Sequence, residues 1–217
     1  MAKLLDKIIT AFFPDRCLLC GRVVSPGVLC CTECKKQLPF QPEGRANTEK
    51  DEPFALVAVP FVYRDGIRNA VLQMKFYGHK EAADFFLPYM LDSLKGYTPD
   101  LVVPVPMAEH RRKERGYNQA ELLAQPIARA LGAEYSPHML QRTGSIVQHD
   151  LSARLRRLEA TQSFALSGKG DAAGKRVLLV DDIFTTGSTL RRCALLLKKA
   201  GAAEVVCAAA ALTPRKN

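Results

Sequence analysis

Apolar residues recur along the second part of the chain at two spacings, which predict alternating strands and helices. Residues 177–180, Val-Leu-Leu-Val, form an uninterrupted apolar run that is typical of a strand buried on both faces. Two carboxylates, Asp181 and Asp182, follow directly and are expected to end this strand. Residues 190–199 then carry apolar side chains at helical spacing. Similar strand and helix patterns occur earlier and later in the chain, so we predict an α/β domain with a parallel or mixed sheet.

Other apolar segments supply the remaining elements of this domain. Residues 55–63, 101–106 and 205–212 are predicted strands, and residues 81–94 and 119–131 are predicted helices. Pro126 is expected to kink or split the second of these helices, because proline removes a backbone hydrogen bond. Residues 140–166 are polar, basic and weakly patterned, which is typical of a lid or binding loop. Ligands of such sheets bind at the carboxyl ends of the strands.

The segment after the two carboxylates has the composition of a phosphate-binding loop. A helix start offers unpaired backbone N–H groups and a positive dipole end, so hydroxyl and glycine residues there can surround a phosphate. Asp181 and Asp182 are placed to accept hydrogen bonds from sugar hydroxyls, so a sugar phosphate fits better than a bare anion. Paired acids also serve Mg²⁺ in P-loop enzymes and receiver domains, although the sequence contains no G-x-x-x-x-G-K-[ST]. The loop residues are Thr185, Thr186, Gly187, Ser188 and Thr189.

Four cysteines near the N-terminus have the spacing of two metal-binding turns. Cys17 and Cys20 form one C-x-x-C pair, and Cys31 and Cys34 form a second. Two such turns can enclose Zn²⁺ with four thiolates and leave no open position, so this zinc would be structural. Free core cysteines and a redox pair are the alternatives, but the segment is short and rich in turns and has no strand–helix unit. Cys30 could compete as a ligand, although the C-x-x-C spacing favours Cys31.

Charge and composition narrow the choice of partners and compartment. The 217 residues carry a formal net charge of +9, which favours an anionic partner, either a polyphosphate or a nucleic acid. The apolar N-terminal segment contains Asp6 and Lys7, which argues against a signal peptide, and no apolar run is long enough to span a bilayer. We therefore expect a cytoplasmic protein without membrane insertion. We also expect an N-terminal helix and zinc ribbon in residues 1–45, a polar linker, and the main domain in residues 54–217.

Residues 177–189 resemble the phosphoribosyl-pyrophosphate (PRPP) motif of type I phosphoribosyltransferases. The resemblance implies that the paired acids hold the ribose, that the loop holds the 5′-phosphate, and that Mg²⁺ accompanies PRPP. Nearly the whole chain is similar to the ComF family of competence-associated proteins. The resemblance is carried by residues 104–106 and 115–124, by Lys75 and Gly78, and by Gln148, Leu151, Ser152 and Arg156. It implies a type I phosphoribosyltransferase-like fold with an N-terminal zinc ribbon, and a role in DNA uptake. Glu159 departs from the family, which tends to have Asn there.

The sequence leaves three functions open. The first is an enzyme that moves phosphoribosyl from PRPP to an unknown acceptor with Mg²⁺, in which Asp181 and Asp182 are the predicted catalytic residues and one of them helps a proton transfer. The second is a non-catalytic competence factor that binds single-stranded DNA and keeps the PRPP pocket as a sensor. The third is a scaffold that holds a partner motor or channel protein, with a pocket that no longer has a function. For the enzyme, a predicted basic loop would meet the pyrophosphate and a predicted hood would close over the site, although both could be plain surface loops. The loop residues are Arg111, Arg112, Lys113 and Arg115, and the hood residues are Gln148, Ser152 and Arg156.

Overall fold

A mixed sheet of seven strands forms the centre of the part of the protein that the structure describes. This computed structural model describes residues 14–46, 51–76, 78–143 and 163–214. The strands are β1 (Arg45–Ala46), β2 (Leu56–Ala58), β3 (Phe61–Val62), β4 (Leu101–Pro104), β5 (Glu134–Tyr135), β6 (Leu140–Thr143), β7 (Ser163–Leu166), β8 (Arg176–Phe184) and β9 (Glu204–Leu212). The helices are α1 (Thr32–Lys36), α2 (Asp65–Phe76), α3 (Ala82–Ser93), α4 (Glu109–Arg115), α5 (Gln119–Leu131) and α6 (Ser188–Lys199).

The sheet has the order β1–β2–β9–β8–β4–β5, with β3 also paired to β9. Only the β1–β2 pair is antiparallel, so the long central strands β8 and β9 and their neighbours end at the same edge. Strands β6 and β7 form a separate antiparallel pair. The predicted α/β class with a parallel or mixed sheet is therefore confirmed. Among the described residues, no helix has the length and apolarity needed to cross a membrane.

Side chains of the central strands alternate between two apolar cores because successive residues of a strand face opposite sides of the sheet. Leu178 and Val180 of β8 lie in a core that also contains buried residues of α2, α3 and α5. Val177 and Leu179 lie in the other core, against α6. The same alternation continues past the apolar run, so it also determines to which side each of the two following carboxylates points.

The cysteine-containing segment packs on α2. The Asn69 side chain donates a hydrogen bond to the Leu19 carbonyl and the Gln73 side chain donates one to the Leu18 carbonyl, each at 2.9 Å. Leu18 and Leu19 are themselves buried in the first core. A Cβ atom at Gly66 would lie 2.6 Å from the Leu19 Cβ atom, so glycine permits this close contact. The segment therefore contributes to the core, and the predicted boundary between residues 1–45 and 54–217 stays a prediction.

Three predicted elements differ from the structure. Residues 55–63 form two short strands, β2 and β3, because Pro60 between them has no N–H group to donate. Strand β8 does not end at Asp181, because Asp181, Ile183 and Phe184 remain paired with β9. Helix α5 is continuous through Pro126, since its buried residues, among them Leu123 and Ile127, hold it against the sheet.

The weakly patterned segment 140–166 contains the paired strands β6 and β7 at its two ends. This pairing was not expected, because neither strand alternates clearly between apolar and polar residues. The predicted hood residues between these strands, Gln148, Ser152 and Arg156, lie outside the described residues.

Candidate substrate-binding site and metal-binding cluster

A cavity of about 220 Å³ lies at the carboxyl ends of β4 and β8, where ligands of parallel α/β sheets bind. The end of β4, the first residues of α5 and the start of α6 contribute to its wall. Its charged lining consists of two carboxylates and four cations. These residues are Asp181, Asp182, Lys75, Arg111, Arg115 and Arg142. Such a lining suits a ligand that has both hydroxyl groups and anionic groups.

The two carboxylates have different environments because they point to opposite sides of β8. Asp182 is buried on the side of α2, and its Oδ2 lies 2.8 Å from Lys75 Nζ. Asp181 accepts a hydrogen bond of 2.8 Å from the backbone N–H of Asp182. Burial, and secondly the negative charge of Asp182, raise the pKa of Asp181 to about 8. Asp181 can therefore gain or lose a proton near neutral pH, whereas Asp182 is held in an ion pair.

The predicted phosphate loop leads into α6 as expected. Gly187 has a φ of +76°, and a Cβ atom there would lie 3.0 Å from the Phe184 ring, so both conformation and space favour glycine. The Ser188 N–H donates to Thr186 Oγ1 at 3.4 Å, and Thr189 lines the cavity. Thr185, Thr186 and Ser188 are exposed beside it. The loop is thus open to an incoming anion at a helix N-terminus, and its role in phosphate binding stays a prediction.

The basic segment that was predicted as a loop forms a helix in the structure. Residues 109–115 form α4 because Glu109 lies in its first turn, basic residues lie in its last turn, and Gly116 ends it with a φ of +80°. Arg111 and Arg115 line the cavity. Arg112 instead donates to both carboxylate oxygens of Glu121, and Lys113 lies 3.8 Å from Glu109. Of the four basic residues predicted to meet the pyrophosphate, the structure brings two to the cavity.

Two pairs of an arginine and an aromatic ring lie at the cavity. The guanidinium carbon of Arg115 is 5.0 Å from the centre of the Phe76 ring, and that of Arg142 is 5.8 Å from the centre of the Phe164 ring. Burial, and secondly the charge of Arg111, lower the pKa of Arg142. Arg142 and Phe164 were not predicted as site residues, because they belong to strands β6 and β7 and only the pairing of these strands brings them together.

The four predicted cysteine ligands form one cluster. The Sγ atoms of Cys17, Cys20, Cys31 and Cys34 all lie within 4.8 Å of one another, and those of Cys20 and Cys31 are 3.8 Å apart. Tetrahedral Zn²⁺ with four thiolates would require Sγ atoms about 3.8 Å apart, so these residues fit a metal ion such as zinc. Cys30 is not part of the cluster, and its thiol instead lies 3.5 Å from the Cys31 carbonyl.

Backbone hydrogen bonds stabilise the thiolate form of one cysteine in this cluster. The Cys31 N–H donates to Cys17 Sγ at 3.4 Å. Burial alone would raise the pKa of Cys17, but hydrogen bonds from the backbone of Cys31, Cys20 and Leu19 lower it to about 6. Within the described residues, this is the one group of three or more potential metal-ligating side chains.

The Lys75–Asp182 ion pair is expected to contribute to stability as well as to the site. The two side chains are 22% and 13% exposed, so a Lys75→Met variant would leave a nearly buried carboxylate without its partner. We expect the free energy of unfolding to fall by about 1–3 kcal/mol near neutral pH, measured by urea denaturation. The matched control is Lys95→Met, whose ion pair with Asp92 is exposed and should contribute less than about 0.5 kcal/mol. Equal stability of the two variants would contradict this role.

Comparisons with known proteins show to which family the chain belongs. The family model of the phosphoribosyl transferase domain matches residues 117–217. DNA utilization protein YhgH of Salmonella typhimurium is 33% identical over 199 residues, which cover 87% of this chain and 86% of that protein. Competence protein F of Haemophilus influenzae is 29% identical over 218 residues, covering 89% and 95% of the two chains. The purine phosphoribosyltransferase structure from Pyrococcus horikoshii Ot3 is more distant, with a TM-score of 0.42, 20% identity and coverage of 64% and 75%. The chain belongs to the ComF family, a group of competence-associated proteins with a phosphoribosyltransferase domain.

Proposed function

We propose that the cavity binds PRPP, or a closely related ribose phosphate, with Mg²⁺ and transfers its phosphoribosyl group to an acceptor. The main support is that one cavity combines adjacent carboxylates, a helix N-terminus and four cations. The loop of residues 185–189 would bind the 5′-phosphate through backbone N–H and hydroxyl groups. Asp181 and Asp182 would accept hydrogen bonds from the ribose hydroxyls, and Arg111 and Arg115 would neutralise the pyrophosphate.

The two metal ions in this proposal have different roles. Mg²⁺ would arrive with PRPP, and the Asp181 and Asp182 carboxylates are the protein oxygen atoms that would lie beside it. When bound, it would help to neutralise the pyrophosphate. The cysteine cluster would hold Zn²⁺, and its four thiolates would fill the coordination shell of the ion. We therefore assign zinc a structural role.

Transfer would break the bond between the ribose C1 atom and the pyrophosphate oxygen. Positive charge then develops on the ribose, and the Asp181 and Asp182 carboxylates would stabilise that charge. As the acceptor forms its bond to C1, the Asp181 carboxylate would take the proton that the acceptor loses, and its raised pKa makes it a stronger base than an ordinary carboxylate. The arginines would stabilise the negative charge of the leaving pyrophosphate. The predicted hood of Gln148, Ser152 and Arg156 would exclude water during this step.

Binding of single-stranded DNA is a second candidate function. Phe76 is 66% exposed beside Arg115, an arrangement in which a ring can stack on a base while the cation contacts a phosphate. Relatives are named as DNA utilization and competence proteins, which supports a role in the handling of DNA. Such binding would involve phosphate contacts and would therefore weaken steeply with salt.

Isothermal titration of PRPP into the purified protein, with and without Mg²⁺, tests the leading proposal. We expect saturable binding that requires Mg²⁺, followed by pyrophosphate release when an acceptor is present. Absence of PRPP binding by the wild-type protein would contradict the proposal. In that case, a fall of about 50-fold in oligothymidylate affinity between about 50 and 200 mM salt, as expected for four phosphate contacts on a single strand, would support the second candidate.

A further inference from the structure

Gln119 has an unusual combination of burial and missing hydrogen bonds. The residue is 2% exposed, and its Nε2 is the one buried side-chain nitrogen or oxygen atom without a hydrogen-bond partner among the described residues. A buried donor without an acceptor destabilises the folded state, so such atoms are rare away from functional sites. Gln119 also lines the candidate cavity. A bound ligand could therefore supply the acceptor that the protein does not.

The position of Gln119 is fixed by its neighbours. It is the first residue of α5, and the preceding Asn118 caps this helix by accepting a hydrogen bond of 3.1 Å from the Ala120 N–H. The Asn118 side chain also donates to the Val105 carbonyl at 2.9 Å, which ties the start of α5 to the end of β4. A helix N-terminus and an unpaired amide donor therefore meet at one end of the cavity. Both features favour an anionic oxygen atom.

The order of the strands indicates which anion this would be. Strands β8 and β4 are neighbours, α6 follows β8, and α5 is tied to the end of β4. A sugar phosphate with its 5′-phosphate at α6 and its ribose at the carboxylates would therefore direct its other end towards β4 and α5. Arg111 and Arg115 also line the cavity, and no carboxylate among the described residues forms an ion pair with either of them.

We infer that Gln119 is a ligand-contacting residue whose Nε2–H group donates a hydrogen bond to a pyrophosphate oxygen of PRPP. This inference rests on the proposed function. It assigns the buried amide to the pyrophosphate end of the substrate, in addition to the arginines. It also explains why the chain keeps an unpaired donor in its interior: the donor is paired only in the complex.

Titrations of a Gln119→Leu variant test this assignment. The probes are PRPP with Mg²⁺, pyrophosphate with Mg²⁺, and ribose 5-phosphate. We expect the affinity for PRPP and for pyrophosphate to fall about 10-fold or more, because a hydrogen bond to a charged group is lost, with little change for ribose 5-phosphate. The melting temperature should stay the same or rise, since leucine removes the unpaired donor. The matched control is Gln125→Leu on the exposed face of the same helix.

A Gln119→Glu variant provides a second measurement if the leucine variant folds poorly. Its carboxylate keeps the shape but repels the pyrophosphate, so it should weaken pyrophosphate binding more than leucine does. The inference is overturned if Gln119→Leu binds pyrophosphate as tightly as the wild-type protein does. It is also overturned if the affinity for ribose 5-phosphate falls by the same factor as the affinity for pyrophosphate. Those outcomes leave the proposed function intact. A wild-type protein that binds neither PRPP nor pyrophosphate would instead remove the proposed function itself.

Discussion

An Asp181→Ala, Asp182→Ala double variant is expected to bind PRPP–Mg²⁺ at least about 100-fold more weakly than the wild-type protein. Both carboxylates line the cavity, and together they would bind the ribose hydroxyls through charge-assisted hydrogen bonds. Each such bond contributes about 1.5–3 kcal/mol, so the loss of two gives an effect of this size or larger. Isothermal titration at fixed salt and at a pH above about 8, where Asp181 is ionised, measures it directly.

The control for this prediction is Asp92→Ala, which removes an exposed carboxylate on α3, outside the cavity. Its affinity for PRPP should equal that of the wild-type protein. If the double variant still bound PRPP–Mg²⁺ with an affinity within about threefold of wild type, the carboxylates would not hold the ribose. Circular dichroism would establish that the double variant is folded, because Lys75 loses its partner in it.

The raised pKa of Asp181 gives the single variant Asp181→Asn a distinct signature. The folded pKa of about 8 lies above the ordinary value of 3.8, so the folded state binds more protons than the unfolded state between these values. The stability that Asp181 contributes is therefore greatest at low pH and is lost as the pH rises through this window. Asparagine cannot titrate. We expect the decrease in melting temperature from about pH 6 to pH 8 to be smaller in this variant than in wild type, and an equal decrease would contradict the assignment.

The features of the site that could be predicted from the sequence are formed by residues that lie close together in the chain. The phosphate loop and the carboxylates lie within nine consecutive residues, and the cysteine pairs have a spacing that itself suits metal ligation. Helix capping by Asn118 and the left-handed conformation of Gly187 also depend only on residues close in the sequence. For these features, the physical reason for the structure is contained in the local sequence.

The parts that the sequence did not reveal depend on distant contacts. Arg142 joins the cavity only because β6 pairs with β7 across a long connection, and Gln119 becomes a buried unpaired donor only after α5 packs on the sheet. The extension of β8 through Asp181 likewise depends on its pairing with β9. The residue types alone predicted that the strand ends at the two carboxylates. Pairing in the sheet instead keeps both carboxylates within β8, so their side chains point to opposite sides of the sheet.

The second large effect concerns the cluster of four cysteines. A Cys31→Ser variant is expected to lose its zinc, because three thiolates and a hydroxyl form a much weaker site than four thiolates. We expect the purified wild-type protein to contain about one zinc per chain and the variant to contain almost none, measured by elemental analysis. The melting temperature should fall by at least about 5 °C, since a structural metal contributes its binding free energy to folding.

Cys30→Ser is the matched control, because this neighbouring thiol is outside the cluster. It should retain its zinc and its melting temperature. Zinc retained by Cys31→Ser, or lost by Cys30→Ser, would mean that Cys30 is the ligand instead. The effect should also reach the candidate cavity, because Leu18 and Leu19 of the cysteine-containing segment accept hydrogen bonds from α2, the helix that carries Lys75. We therefore expect PRPP affinity to fall together with thermal stability in Cys31→Ser and to remain unchanged in Cys30→Ser.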